Sequence, residues 1–287
     1  MSRTRGERAD LGRRVEAIVR ELRGGGAPVR LTSRDLREAC DLGSSVIDAP
    51  FEPSVAVVRR TLAMELVVRW YDEREQAPTP HALYRALRSS IRDHWAWDWV
   101  SGHATKAITR GERLLVQQEV ITFAAETIGV LEAEHAGALE PRRRTVRFGA
   151  VQLRSLIDLQ LLDAKGERAG VFVLDHRPYG YEDTALAFEA VVATIGGVDL
   201  DWVGLVDIEA GRSRRRLVDE ALLDEGVGAI GTVVRRARRL RELRETLRRD
   251  SVPDGLWADA VPGYQCRSCP LAPHCPAFGA GVDASAV

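Results

Sequence analysis

Two aspartates interrupt apolar stretches in the middle of the chain, which indicates buried carboxylates that could take part in binding or catalysis. Asp158 lies within the apolar run 151–162, and Asp175 directly follows the short run 171–174. Turn-forming residues at 163–168 separate the runs, which predicts a β-hairpin with one aspartate in each strand. Burying an ionised carboxylate is costly unless a metal, a cation or hydrogen-bond donors compensate it. We therefore expect a compensating group between the two aspartates.

The four cysteines are the second group of residues whose type and spacing indicate a chemical role. Cys266, Cys269 and Cys275 follow a C-x2-C-x5-C pattern near the end of the chain, and Cys40 is the remaining cysteine. In a cytosolic protein this arrangement is more typical of metal binding than of disulfides. Four thiolates suit a 4Fe–4S cluster or a tetrahedral zinc ion, for which His274 is a spare ligand. The residue types alone do not choose between the two metals.

The composition is that of an ordinary globular protein with nearly balanced charge. The 287 residues are 45% hydrophobic and 29% charged, and the net charge is −1. No apolar run approaches the roughly 18 residues of a membrane span, and the N-terminus lacks a signal-peptide pattern. These features predict a cytoplasmic protein without a membrane partner. Any affinity for nucleic acid has to come from local clusters of charge.

Helical patterns surround the predicted hairpin and indicate how the chain is organised. We predict an N-terminal helical arm at residues 1–30, one domain at 31–278 and a flexible tail at 279–287. A helix at 184–195 and a strand at 200–208 follow the hairpin. Within the domain, the predicted parts are a helical cap at about 53–140, a core at about 141–210, a basic helix at 232–249 and a cysteine cluster at 264–278.

Two arginine-rich elements come after the last predicted strand. One, at residues 212–216, is interpreted as a loop. The other is the basic helix 232–249, whose stripe of apolar residues marks its buried face. Arginines on the opposite face can bind the phosphates of DNA. The alternative is a solvated helix, balanced by Glu242 and Glu245. The candidate DNA-binding residues are Arg214, Arg215, Arg238 and Arg241.

The hairpin resembles the core of the RecB-like branch of the PD-(D/E)XK nucleases. The matching residues are 153–158 and 173–180, where the family has an aspartate on one strand and then Asp or Glu, any residue and Lys on the next. One cysteine before the core and a C-x2-C-x5-C group after it resemble the iron–sulfur site of AddB-type recombination nucleases and CRISPR adaptation nucleases. The resemblance covers roughly residues 31–278. It implies an α/β fold in which helices flank a mixed sheet, and a 4Fe–4S cluster on all four cysteines.

The resemblance also implies a degenerate catalytic site. Asp158 and Asp175 match the carboxylates that hold Mg²⁺ or Mn²⁺, but Arg177 stands where the family has lysine, for which arginine is a poor replacement. Arg60 and Met64 stand where the family has a glycine and a metal-binding histidine. We therefore expect a nuclease fold that binds or helps to process DNA with weak or lost cleavage. It would act beside a protein partner such as a helicase or an active nuclease subunit.

Two other functions remain open from the sequence. One is an active Mg²⁺- or Mn²⁺-dependent DNA exonuclease or endonuclease, in which Arg177 fills the role of the lysine. The other is a zinc-stabilised scaffold that binds only proteins. DNA cleavage that depends on Asp158 would favour the first, and a colourless protein with bound zinc would favour the second.

Overall fold

The computed structural model of the chain describes residues 3–22, 29–36, 55–73, 79, 109–131, 137–139, 144–163, 165–174, 180–247, 271 and 275. Over these residues the protein is a mixed α/β fold with two sheets. The helices are α1 (Arg5–Val19), α2 (Val55–Glu73), α3 (Arg110–Leu131), α4 (Glu182–Ile195) and α5 (Glu220–Leu247), with short 3-10 helices at Arg20–Leu22 and Ser33–Leu36. The strands are β1 (Val29–Thr32), β2 (Gly137–Leu139), β3 (Thr145–Phe148), β4 (Val151–Arg154), β5 (Leu159–Leu162), β6 (Arg168–Leu174), β7 (Trp202–Asp207) and β8 (Arg212–Leu217).

Both sheets contain parallel and antiparallel neighbours. The smaller sheet has the order β1–β4–β3, in which β1 runs parallel to β4 and β3 runs antiparallel to it. The larger sheet has the order β2–β5–β6–β7–β8, and its one parallel pair is β6 with β7. Parallel neighbours need a crossover connection, and α4 lies in the connection between β6 and β7. The predicted mixed α/β architecture is thus confirmed for the described residues.

The apolar run 151–162 was predicted to be one strand of a hairpin, and this was wrong. β4 belongs to the smaller sheet and β5 to the larger one, with a bend at residues 155–158 between them. At the bend, the N–H of Ser155 donates to the carbonyl of Arg144, and the N–H of Asp158 donates to the carbonyl of Val171, both at 2.9 Å. Strands buried in either sheet carry similar apolar residues, so the run itself does not reveal the break. The hairpin prediction is confirmed only for β5 and β6.

The larger sheet separates two apolar clusters. On one face, Val171, Val173 and Val206 pack with residues of α2 and α3. On the other face, Val203 and Leu205 pack with residues of α1, α4, α5 and the smaller sheet. Removing this apolar surface from water is the main driving force for folding. The sheet is therefore covered by helices on both faces, and the ends of its strands are the places where polar groups can be exposed.

The predicted N-terminal helix is confirmed as α1, and it packs against the second cluster. Leu11, Val15 and Val19 are buried there, as the spacing of its apolar residues predicts. The guanidinium of Arg8 adds a hydrogen bond to each carboxylate oxygen of Asp199, at 2.6 and 2.7 Å. The boundaries of the predicted arm, domain and tail stay predictions.

One described helical segment, Leu114–Leu131 of α3, is long and apolar enough to cross a membrane, with a mean hydropathy of 1.3. Length and composition alone do not distinguish a spanning helix from the core helix of a globular domain. Val120 and Ala124 of this segment are fully buried in the cluster that α3 shares with α2 and the larger sheet. The packing of α3 is therefore that of a core helix on this face.

The last described helix begins earlier than predicted, at Glu220 instead of Thr232. The stretch before Thr232 contains three glycines, at positions 226, 228 and 231, and glycine has a low helix propensity. At Gly226 the packing of two helices outweighs the low helix propensity of glycine. A Cβ atom on Gly226 would lie 2.2 Å from the carbonyl oxygen of Ala187, so glycine permits the close approach of α5 to α4.

Replacing Gly226 with alanine is expected to lower the free energy of unfolding by about 3 kcal/mol, because α4 and α5 must move apart to admit the methyl group. Gly228→Ala is the matched control, since no atom lies within 4 Å of the position that a Cβ atom would occupy there. That change should raise stability by roughly 0.5–1 kcal/mol, because it removes a helical glycine without a clash. Urea denaturation of both variants measures the difference, and equal effects would contradict the close packing at Gly226.

Candidate functional site

The buried carboxylate of Asp158 lies where β5 begins. Asp158 is only 4% exposed, and its Oδ2 accepts a hydrogen bond of 3.0 Å from the N–H of Val173. The β5–β6 register therefore brings this carboxylate next to the C-terminal end of β6. Asp175 and Arg177 follow β6 in the sequence, but they lie outside the described residues. The predicted pairing of Asp158 with Asp175 stays a prediction.

The charge that compensates Asp158 comes from Arg60 of α2. Its Nε donates to Oδ1 at 3.1 Å, and its Nη2 donates to Oδ2 at 2.5 Å. The same Nη2 also donates to the carbonyl oxygen of Val173. A two-pronged contact of this kind is the strongest geometry available to an arginine and a carboxylate. Asp158 therefore has the compensating cation that its buried position requires.

The oxygens around Arg60 are also the kind that bind divalent cations. Mg²⁺ and Mn²⁺ prefer carboxylate and carbonyl oxygens, and Arg60 contacts the carboxylate of Asp158 and the carbonyl of Val173. A guanidinium stays charged at all relevant pH values, so a metal ion on these oxygens has to displace it. Among the described residues, no group of three or more His, Cys, Asp or Glu side chains could hold a metal ion. Met64, one turn after Arg60, is buried in the apolar cluster.

A small cleft opens beside this ion pair at the C-terminal ends of β6 and β7. Its volume is about 100 Å³, and a larger cavity of about 600 Å³ adjoins it through shared lining by Glu182 and Leu205. Ligands of α/β proteins often bind at this end of parallel strands. The polar residues that line the two spaces are Ser33, Arg34, Arg60, Asp158, Tyr181, Glu182, Asp183, Asp207, Arg212, Ser213 and Arg214. Both signs of charge are therefore present along the cleft.

A second buried carboxylate, Glu189 of α4, lies close to the bend that carries Asp158. Its Oε1 accepts a hydrogen bond from the hydroxyl of Ser33 at 2.7 Å, and its Oε2 accepts one from the N–H of Leu156 at 2.9 Å. The pKa of Glu189 is raised to about 7. Burial is the largest cause and the negative charge of Asp158 adds to it, while hydrogen bonding to Ser155, Ser33 and Leu156 lowers the pKa and so offsets part of the increase. Glu189 therefore titrates near neutral pH.

The candidate DNA-binding arginines lie on β8 and α5, and each already has a partner. Arg214 and Arg215 belong to β8, so the loop predicted for them was wrong, because pairing with β7 holds this polar stretch extended. The described contacts are Arg214 with Asp183 at 3.1 Å, Arg215 over the ring of Trp202 at 4.7 Å, Arg238 with Glu242 at 2.9 Å, and Arg241 with the carbonyl of Leu22 at 3.4 Å. Arg214, Arg215 and Arg238 are exposed, whereas Arg241 is half-buried.

Only one of the four predicted metal-binding cysteines is described. Cys275 is half-buried, and Cys40, Cys266 and Cys269 lie outside the described residues. The segment that leads to Cys40 is described as far as Leu36. It lies against α5, where a guanidinium nitrogen of Arg236 donates to the carbonyl of Asp35 at 3.0 Å. The predicted cysteine cluster therefore stays a prediction.

Sequence reasoning missed the roles of Arg60 and Glu189. Glu189 is the one carboxylate within the apolar stretch 185–195 of α4, which is the same signal that drew attention to Asp158. Arg60 has no comparable signal, because its partner is 98 residues away in the chain. No protein-family model matches this sequence, and no curated protein matches it significantly.

Proposed function

We propose that this protein has a PD-(D/E)XK nuclease fold of the RecB-like type that binds or helps to process DNA, with weak or lost cleavage, as part of a larger complex. It would carry a 4Fe–4S cluster on Cys40, Cys266, Cys269 and Cys275. The observation that carries the proposal is the ion pair between Arg60 and Asp158. A residue of the protein itself holds the carboxylate that would otherwise bind a catalytic metal ion.

The order of elements around Asp158 supports the proposed fold. An antiparallel hairpin, β5 and β6, is followed by the crossover helix α4 and by the parallel strand β7. The resembling family has its first carboxylate on one strand of such a hairpin and its second at the end of the next. Asp158 directly precedes β5 and accepts a hydrogen bond from the N–H of Val173 near the end of β6, which is consistent with this arrangement.

The contacts of Arg60 support weak or lost catalysis. Metal-dependent cleavage of a phosphodiester uses carboxylate-bound Mg²⁺ or Mn²⁺ to activate water and to stabilise developing charge. Arg60 can neutralise Asp158, but a guanidinium neither lowers the pKa of a bound water as a metal ion does nor accepts its proton. Removing one preorganised charge-stabilising group typically costs about 100- to 1,000-fold in rate. Arg177 in place of lysine would lower the rate further.

The exposed arginines support DNA binding as the retained activity. Arg214 and Arg238 are paired with exposed carboxylates, and pairs of this kind contribute only about 0–1 kcal/mol each. Phosphates can therefore replace these partners at little cost. Binding through such contacts releases counterions from DNA and must weaken as salt is added.

DNA should bind to the purified protein without being cleaved, even when Mn²⁺ is present. We expect salt-dependent binding to labelled single- or double-stranded DNA, measured by fluorescence anisotropy, and no loss of full-length DNA on a denaturing gel. Arg238→Glu should weaken binding and reduce the slope of log affinity against log salt by about 1 or more, because it removes a phosphate contact. Arg13→Glu is the matched control, since Arg13 is also exposed and paired along its helix. Robust cleavage that disappears in Asp158→Ala would overturn the proposal.

Anaerobically purified protein is expected to be brown and to contain about four iron and four sulfide ions per chain, as a cluster on four cysteines requires. Changing Cys40 to serine should lower both contents and bleach the visible absorbance. Ser44→Ala is the control, because it also changes a short polar side chain close to Cys40 in the sequence. It should leave the iron content, the sulfide content and the absorbance unaltered. A colourless protein with one zinc ion per chain would instead favour the zinc-stabilised scaffold.

A further inference from the structure

The two parallel strands of the smaller sheet end side by side at Glu189. Thr32 of β1 lies opposite Arg154 of β4, so Ser33 and Ser155 are the first residues to leave the sheet on the two strands. Both serines are buried, at 2% exposure each. The hydroxyl of Ser33 donates to Oε1 of Glu189, and the N–H of Leu156, the residue after Ser155, donates to Oε2. The ends of two neighbouring strands are therefore joined through one carboxylate.

The two segments that leave the strands beside Glu189 lead to different candidate sites. Ser33 begins the 3-10 helix Ser33–Leu36, after which the sequence leads to Cys40. On the other strand, Ser155 begins the bend that ends at Asp158. The N–H of Leu156 in this bend donates to Oε2 of Glu189, and Asp158 is held by Arg60.

The burial of Glu189 makes these contacts depend on one another. The side chain is completely buried, so water does not replace a hydrogen bond that is lost. The hydroxyl of Ser33 holds one carboxylate oxygen, and the N–H of Leu156 uses the other. If Ser33 moves away, the carboxylate loses the donor that fixes its orientation, and the contact with the bend weakens.

We propose that Glu189 couples the segment that begins at Ser33 to the bend that carries Asp158, so that displacement of the first loosens the second. The coupling itself depends only on described contacts. Its regulatory meaning rests on the proposed function, because it needs Cys40 as a ligand of the cluster. Loss of the cluster would then free the segment before Cys40 and weaken the hold of Arg60 on Asp158.

Hydrogen–deuterium exchange of the full chain tests the coupling. Ser33→Ala is expected to speed exchange of the Leu156 and Val173 amides about tenfold, because both donate to the two coupled carboxylates. Thr127→Val is the matched control, since the hydroxyl of Thr127 is also buried but donates to the carbonyl of Phe123 within α3, away from the segment and from Glu189. It should leave exchange at the bend unchanged. In Ser33→Ala, amides of α3, which packs on the opposite face of the larger sheet from α4, report any general loss of stability.

A double-mutant cycle separates coupling from a local packing effect. If Ser33 acts through Glu189, then Ser33→Ala should add less than about twofold to exchange at the bend in a Glu189→Gln background. The proposal is overturned if Ser33→Ala leaves the bend unchanged, if Thr127→Val has the same effect, or if the effect of Ser33→Ala persists in full without Glu189. Iron and sulfide analysis of the same samples reports separately on the cluster, so failure of the coupling and failure of the proposed function are distinguishable.

Discussion

Arg60→Leu should lower the free energy of unfolding by about 3–5 kcal/mol, because it leaves a buried carboxylate without its cation. The side chain of Asp158 is only 5% exposed, whereas that of Arg60 is 27% exposed. Asp158→Asn should therefore cost less, about 1–2 kcal/mol, since the remaining guanidinium can reach water. Urea denaturation of both variants measures this asymmetry. Equal losses, or a stable Arg60→Leu protein, would contradict the assigned role of the ion pair.

A metal ion should recover part of the stability that a smaller Arg60 variant loses. In Arg60→Gly, the oxygens of Asp158 and Val173 are freed from the guanidinium, and Mn²⁺ can bind them. At a tenfold excess over its Kd, Mn²⁺ would add about 1.4 kcal/mol of stability by mass action. Wild-type protein is the control and should show no such gain. A gain of equal size in wild-type protein would show that Arg60 does not hold the place of the cation.

Glu189 should make the protein less stable as the pH rises towards neutrality. Its pKa is about 7 in the folded protein and 4.5 ordinarily, so the folded state binds more protons between these values. The stabilisation is fully present below pH 4.5 and is lost as the pH rises through about 7. At about 1.36 kcal/mol per pH unit, the loss amounts to about 3 kcal/mol. Urea denaturation between about pH 5 and about pH 8 measures it.

Glutamine at position 189 should remove this pH dependence, because it has the size of glutamate but no titrating proton. Other groups also titrate in this range, so the informative quantity is the difference between wild-type and Glu189→Gln protein at each pH. Glu119→Gln is the matched control, since the side chain of Glu119 is 56% exposed and its loss should leave the pH dependence unchanged. A wild-type slope that survives in Glu189→Gln would contradict the assignment.

Several elements could be predicted from the sequence because local patterns determine them. The stripes of apolar residues in α1 and α4 and the turn between β5 and β6 are signals within a few residues of one another. The setting of Asp158 was also visible, since a charged residue within an apolar run is either compensated or unfavourable. The expected compensating charge is present, although the sequence did not indicate that Arg60 would supply it.

Other features depend on contacts between distant parts of the chain. The break between β4 and β5 has no local signal, because both strands are buried and apolar. Gly226 discourages a helix by propensity, yet in α5 it permits close packing against Ala187. The polar sequence of β8 indicates a loop, and only its pairing with β7 makes it a strand. For Gly226 and β8, tertiary packing outweighs a local preference of about 1 kcal/mol.

For the site, the sequence by itself determined that buried carboxylates would need partners, since that cost follows from the solvation of charge. Only the tertiary structure decided that Arg60 is the partner of Asp158 and that Ser33 and Leu156 are partners of Glu189. The physical reason is that a buried charge specifies what kind of group must approach it, but not from where in the chain. That choice is made when α2, α4 and the strand ends pack together and bring distant residues within hydrogen-bonding distance.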